Sequence, residues 1–169
     1  MVDLVEAKNT ALQNMEGGKK VEQYLTFLMD KDEYGIDILA VQEIHGWVEP
    51  RPIPNTPGYI RGVIDWRGTV VPIVDLRVRF KYENATYDKT TVVIILRAEI
   101  ETVDSDVIIG IVVDAVSDVH DVSAENFRAA PSFGSKVDTR YIKSLAKIKD
   151  SMIVLLDLGK LVSLDDLES

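Results

Sequence analysis

A block of ten residues, Gly35-Ile36-Asp37-Ile38-Leu39-Ala40-Val41-Gln42-Glu43-Ile44, returns 75 positions later as Gly110-Ile111-Val112-Val113-Asp114-Ala115-Val116-Ser117-Asp118-Val119. Glycine, isoleucine, alanine, valine, an acid and a β-branched residue keep their places within it. Further matches follow at an offset of 82: Tyr59-Ile60-Arg61 with Tyr141-Ile142-Lys143, Thr69 with Ser151, and Val74-Asp75-Leu76 with Leu156-Asp157-Leu158. The second copy has therefore gained seven residues in the loop between the blocks. Self-similarity of this kind constrains the architecture more than composition does. It predicts two similar small barrels, with copies centred on residues of about 35–80 and 110–162. A barrel of about five strands is barely stable alone, so the copies should pack on a shared core. Two convex barrels side by side leave a groove between them, a natural seat for a partner.

The local pattern agrees with an all-β chain. Apolar, β-branched-rich runs at Tyr24 to Met29, Val63 to Trp66, Thr69 to Val74, Thr91 to Leu96, Val107 to Val113 and Met152 to Leu156 alternate with Gly, Pro, Asn and Asp. The runs at Thr91 and Val107 are apolar on both faces, which predicts strands between two layers joined by an acidic hairpin from Glu99 to Asp106. No long amphipathic helix interrupts them, and this argues against a doubly wound α/β fold. Two short helices are expected. One covers Leu76 to Arg79 with Asp75 as its cap, and one near the C-terminus follows Asp157 with Leu158, Leu161 and Leu164. Residues 1–18 end in Gly17-Gly18 and read as a flexible tail, leaving residues 19–169 as the domain.

Charge and composition exclude several functions. The net charge of −9 and the lack of a basic cluster repel phosphate backbones, so nucleic acid is not expected as a partner. With no cysteine among 169 residues, thiol nucleophiles, cysteine-held zinc and disulfides are all ruled out. The opening Met1-Val2-Asp3-Leu4-Val5-Glu6 has neither a basic nor an apolar leader segment, so a cytoplasmic chain is expected, reaching membranes only through partners.

Reactive constellations are equally scarce. His45 and His120 are the two histidines, and both fall one residue past the matched blocks, as strand-end surface residues would. Nucleotide-binding glycine loops, a Gly-x-Ser-x-Gly elbow and a His-Glu-x-x-His pair are all missing. Asp104, Asp106, Asp114, Asp118 and Asp121 are dense but lack the ligand alternation of a calcium loop, so they read as a solvated acidic surface. No cofactor, metal or catalytic residue is expected.

Three stretches have the chemistry of contact surfaces. Pro50 to Gly58 holds four of the six prolines and forms a stiff loop. Gly62 to Leu76 reads as a hairpin turning at Arg67-Gly68, where the second copy has Lys149-Asp150, so Trp66-Arg67-Gly68 is private to the first copy. Arg67 either pairs with Asp65 or another nearby acid, or contacts a ligand. The extended loop Ser123 to Gly134 holds Phe127, Arg128 and Phe133, residue types that anchor interfaces. One phenylalanine should pack inward, with Phe133 the exposed one.

Taken together, Tyr34-Gly35-Ile36-Asp37-Ile38, Val41-Gln42-Glu43-Ile44, Pro54-Asn55-Thr56-Pro57, Gly62-Val63-Ile64, Arg67-Gly68, Val71 to Arg77 and Gly110 to Asp114 resemble the CheW-type chemotaxis coupling proteins. The resemblance runs from about Gln23 to Leu167. It implies two intertwined, five-stranded SH3-like barrels and a non-catalytic adaptor joining chemoreceptors to the histidine kinase CheA. Carried over by position, the receptor groove comprises Val41, Glu43, Gly62, Arg67 and Val119. Arg128 and Phe133 fall where the family contacts the kinase regulatory domain or further CheW copies in rings. Asp65-Trp66 departs from the family's usual Asn-Leu and adds charge and bulk beside the groove. Competing expectations are an adaptor for a kinase outside flagellar chemotaxis and a barrel that binds a small molecule.

Overall fold

The computed structural model describes residues 3–16, 21–83, 85–99, 106–130 and 139–161. A helix α1 (Leu4–Glu16) precedes β1 (Val21–Met29) and β2 (Asp32–Asp37), and a 3-10 turn at Ile38–Ala40 leads into β3 (Val41–Gly46). The hairpin β4 (Ile60–Trp66) and β5 (Thr69–Asp75) runs into a one-turn helix α2 (Leu76–Arg79). The second half repeats the plan. It contains β6 (Val92–Ala98), β7 (Val107–Val113), β8 (Ala115–Ser123), the short β9 (Phe127–Arg128), then β10 (Ile142–Ile148), β11 (Ser151–Leu156) and a 3-10 turn at Leu158–Lys160.

The strands form two sheets, and neither belongs to one half of the chain. Barrel A has the order β8-β1-β2-β11-β10-β9, and barrel B the order β3-β6-β7-β5-β4. Barrel A thus takes β1 and β2 from the first copy and β8, β10 and β11 from the second. Barrel B reverses the exchange, so the SH3-like barrels are intertwined as the resemblance implies.

The repeated glycines mark the crossover. Each barrel contains one parallel pair, β11 with β2 and β5 with β7, in which Leu155 stands opposite Gly35 and Ile73 opposite Gly110. A Cβ on Gly35 would lie 2.8 Å from Leu155 Cδ2, and one on Gly110 would lie 2.7 Å from Ile73 Cδ1. The large side chain from one copy fills the space that a glycine of the other leaves. The matched Tyr and Asp are explained in the same way. The Asp75 amide donates to Tyr59 O at 2.7 Å and the Asp157 amide to Tyr141 O at 2.8 Å. Asp75 Oδ1 then caps Arg77 N at 3.0 Å, and Asp157 Oδ1 caps Gly159 N at 3.1 Å.

The core follows from the interchange. Ile94 and Leu96 of β6, with Ile109, Ile111 and Val113 of β7, join Leu25, Phe27, Ile36, Ile38 and Val41 in one cluster between the barrels. On the opposite face Val93, Ile95 and Val112 fill barrel B with Val71 and Ile73. Both runs read as apolar on both faces are therefore packed on both. The tip of their hairpin, residues 100–105, lies outside the described residues, as does Leu164 in the expected C-terminal helix.

Two features differ from the sequence reading. Strands β2, β3, β8 and β10 lie outside the apolar runs read from the sequence, because polar and charged residues are interspersed along each; β8 carries Ser117, Asp118 and Asp121 exposed. Residues expected within a tail form α1, whose Leu4, Ala7 and Ala11 pack on the shared core. A short helix is marginal alone. Tertiary packing of its one apolar stripe makes up the difference.

Candidate functional site

The closed end of barrel B carries the clearest polar cluster. Strands β3 and β4 are the two outer strands of that sheet, yet Arg51, five residues past β3, pairs with Val63 of β4 through two 2.9 Å backbone hydrogen bonds. This closure brings β3 side chains to the β4–β5 turn. Gly62 permits it: its φ is +138°, and a Cβ there would sit 2.2 Å from the Arg51 carbonyl oxygen.

Across the closure Trp66 Nε1 donates to Glu43 Oε2 at 2.8 Å, and Arg67 Nη2 to Glu43 Oε1 at 3.3 Å. The Arg67 guanidinium lies 5.0 Å from the Trp66 ring centroid. Arg67 therefore pairs with a nearby acid, but with Glu43 rather than Asp65. Asp65 is committed to the turn, accepting from Gly68 N at 2.9 Å. Arg67 and Gly68 both have positive φ, 53° and 82°, the geometry of a tight hairpin turn. The Arg67 side chain is 70% exposed and that of Glu43 35% exposed, so the pair is presented to solvent. A shallow hollow beside it is lined by Glu43, His45, Trp47, Ile64 and Trp66.

The remaining predicted residues are more dispersed. Val41 is fully buried in the shared core, so what it offers the surface is backbone: its carbonyl accepts Lys8 Nζ at 3.0 Å. Val119 is half-buried on β8 of barrel A, opposite Leu25. Arg128 is exposed on β9, its Nη1 donating to Glu125 O at 2.6 Å and Phe127 O at 2.9 Å. Phe127 is the inward phenylalanine, meeting the Tyr24 ring edge-on at 6.3 Å. Phe133 lies outside the described residues.

Sequence reading assigned Asp75 only a capping role and missed the buried network behind the hairpin. Arg77 is 2% exposed; it forks onto Asp75 at 3.0 Å and reaches Asp114 Oδ1 at 2.9 Å and Thr86 O at 2.7 Å. Burial pulls the guanidinium pKa down, and its hydrogen bonds to the two carboxylates more than reverse this, so it is raised overall. Tyr87 donates to Asp75 Oδ2 at 2.7 Å and stacks on Trp47 at 4.3 Å. Burial, then the Asp75 hydrogen bond, pushes its phenol up to about 12. The signal available in sequence was the Val-Asp-Leu-Arg of the first copy against Leu-Asp-Leu-Gly in the second.

Among the described residues, no group of three or more His, Asp or Glu side chains is placed to hold a metal ion, and no helix is long and apolar enough to cross a membrane. The polar groups at the closed end pair with one another and present a contoured surface.

Comparison with known proteins places this arrangement. Residues 23–166 match the CheW-like domain. The chain is 42% identical over 146 residues to the chemotaxis protein CheW of Klebsiella aerogenes, covering 86% of this chain and 84% of that one. It is 30% identical over 161 residues to CheW of Rhizobium meliloti, covering 95% and 98%. The crystal structure of the scaffolding protein TtCheW from Thermoanaerobacter tengcongensis superposes with a TM-score of 0.74 at 29% identity, covering 83% of this chain and 91% of that one. A duplicated, interchanged pair of barrels, matched over nearly its full length by these relatives, makes this chain a member of the CheW-like domain family, a family of non-catalytic scaffolds.

Proposed function

We propose that this protein is an adaptor of chemotaxis arrays that couples chemoreceptors to the histidine kinase CheA, without catalysis of its own. The observation that carries the reading is the exposed Glu43–Trp66–Arg67 cluster at the closed end of barrel B. Two of its members stand at positions the family resemblance assigns to the receptor groove. In this reading Glu43 and Arg67 meet the helical hairpin tip of the receptor directly, and Val119 lines the wall supplied by barrel A. Gly62 and Val41 act through shape, one by allowing the barrel to close and the other by fixing the start of β3.

Arg128, with Phe133 beyond β9, forms the contact with the kinase regulatory domain or with a second adaptor in a ring. These contacts are small and individually weak, but repetition across a lattice raises their effective concentration. Such a protein works in the cytoplasm and is held at membrane-associated arrays by its partners. The decisive experiment combines receptor fragments, kinase and this protein and measures kinase output. Stimulation that depends on the protein and is lost with Arg67→His supports the reading, and output independent of the protein refutes it. Intact array formation with Phe133→Ala would remove the ring contact from the proposal.

A further inference from the structure

The helix α1 lies on a seam rather than on a single barrel. It packs against β1 of barrel A and against the 3-10 turn at Ile38–Ala40, the crossover that carries the chain from barrel A into β3 of barrel B. Lys8 completes the contact by donating to the carbonyl of Val41, the first residue of β3. The docked face is Leu4, Ala7, Lys8 and Ala11, spaced three and four apart as on one helical stripe. Ala7 and Ala11 are small, which lets the helix backbone approach closely, and Ala11 is only 4% exposed.

The outward face is unlike that of a helix built permanently into a core. Val5 is 72% exposed and Leu12 48% exposed, so the apolar residues are split between seam and solvent. One leucine and two alanines bury little apolar area, and area sets the strength of such a contact. The seam therefore accepts an amphipathic helix with small residues at its contact stripe, and its present occupant rests on one leucine, two alanines and one lysine hydrogen bond.

We propose that α1 is a resident competitor for the helix-binding seam, occupying the ground beside Val41 until a receptor helix displaces it. The inference rests on the receptor reading above and adds regulation to it. Because a partner sees only the fraction of molecules with the seam open, apparent affinity falls by that fraction. If α1 is docked in about nine molecules of ten, receptor affinity is reduced ~10-fold.

The test uses the full-length protein and a receptor hairpin fragment in a binding titration. Ala11→Glu sets a carboxylate against the shared core and should release α1, raising receptor affinity ~10-fold with the barrels still folded by circular dichroism and melting. In the opposite direction, a Lys8→Cys/Gln42→Cys pair in this cysteine-free chain, bridged by a short bismaleimide, should hold α1 down and weaken binding at least as much. The two single-cysteine variants capped with the same reagent serve as controls. If the bridged protein and Ala11→Glu bind as tightly as the unmodified chain, α1 does not compete and the inference falls while the receptor reading stands. Should none of the three bind the fragment, the receptor reading falls and the inference with it. If Ala11→Glu fails to fold, the bridged pair alone decides.

Discussion

The β4–β5 hairpin of barrel B and the β10–β11 hairpin of barrel A hold equivalent places, down to the bulge. Register slips between Ile60 and Gly62 in one and between Ile142 and Ser144 in the other. Their turns even share a left-handed residue, Arg67 at φ 53° and Lys149 at φ 54°. Their surroundings are nevertheless opposed. Behind the first hairpin, Arg77 ties two carboxylates and a tyrosine into a buried network. At the matching place in barrel A stands Gly159, where a Cβ would meet the Glu99 carbonyl oxygen at 2.3 Å and no side chain fits. Duplication kept the backbone and freed the polar groups to specialise: behind its hairpin barrel A brings a glycine against a backbone carbonyl, whereas barrel B holds a buried ion pair there and presents Glu43 and Arg67 outward.

That contrast fails first at Arg77. Replacing it by leucine leaves Asp75, which is fully buried, without its cation, and truncating one member of a buried pair typically costs about 3–5 kcal/mol. Urea unfolding of Arg77→Leu should show a loss of that size, and a loss under ~1 kcal/mol would mean that barrel B does not depend on the network for stability.

The symmetric part of the comparison is sharpened by the paired glycines. Overpacking a core usually costs about 1–3 kcal/mol. Gly110→Ala should fall in that range, since its Cβ meets Ile73, Val93 and Ile95 at 2.7, 3.2 and 3.3 Å. Gly35→Ala meets mainly the movable end of Leu155 and should cost less, which parallel denaturation curves would reveal.

Smaller effects concern the surface. Arg67→His should weaken receptor binding roughly tenfold in a titration while changing stability by no more than ~0.5 kcal/mol. The network also has a pH signature. Because the folded Tyr87 phenol is pushed up to about 12 while an unfolded one ionises near 10, its contribution is complete below pH ~10 and lost as pH rises to about 12. Tyr87→Phe should flatten that part of the stability profile. At the bottom of the scale, Lys149→Ala should leave receptor binding unchanged; a loss equal to that of Arg67→His would erase the distinction between the hairpins.

Much of this was legible in the chain because a duplicated backbone repeats its geometric necessities. Gly35 and Gly110 recur since each faces a large residue of the other copy. Tyr59 and Tyr141 recur with Asp75 and Asp157 since carbonyl and amide meet at each junction. The double-sided runs at β6 and β7 announced a position between layers. Less visible were β2, β3, β8 and β10, whose interspersed polar residues dilute the apolar signal, and α1, whose four-residue stripe gains meaning only from the surface that receives it. Of the candidate site, Glu43 and Arg67 were found as separate residues, and no spacing rule indicated that Trp66 and Arg67 would share one carboxylate.

By itself, then, the sequence determined two copies of an all-β unit, their glycine and aspartate landmarks, and an asymmetric turn, because these depend on local sterics and on periodicity that any reading frame of the repeat preserves. Which copy donates which strand, how β3 reaches the β4–β5 turn, and where α1 settles were decided by the tertiary structure. Those outcomes depend on burying both faces of β6 and β7 at once, a condition satisfied by residues far apart in the chain and therefore absent from any local stretch of it.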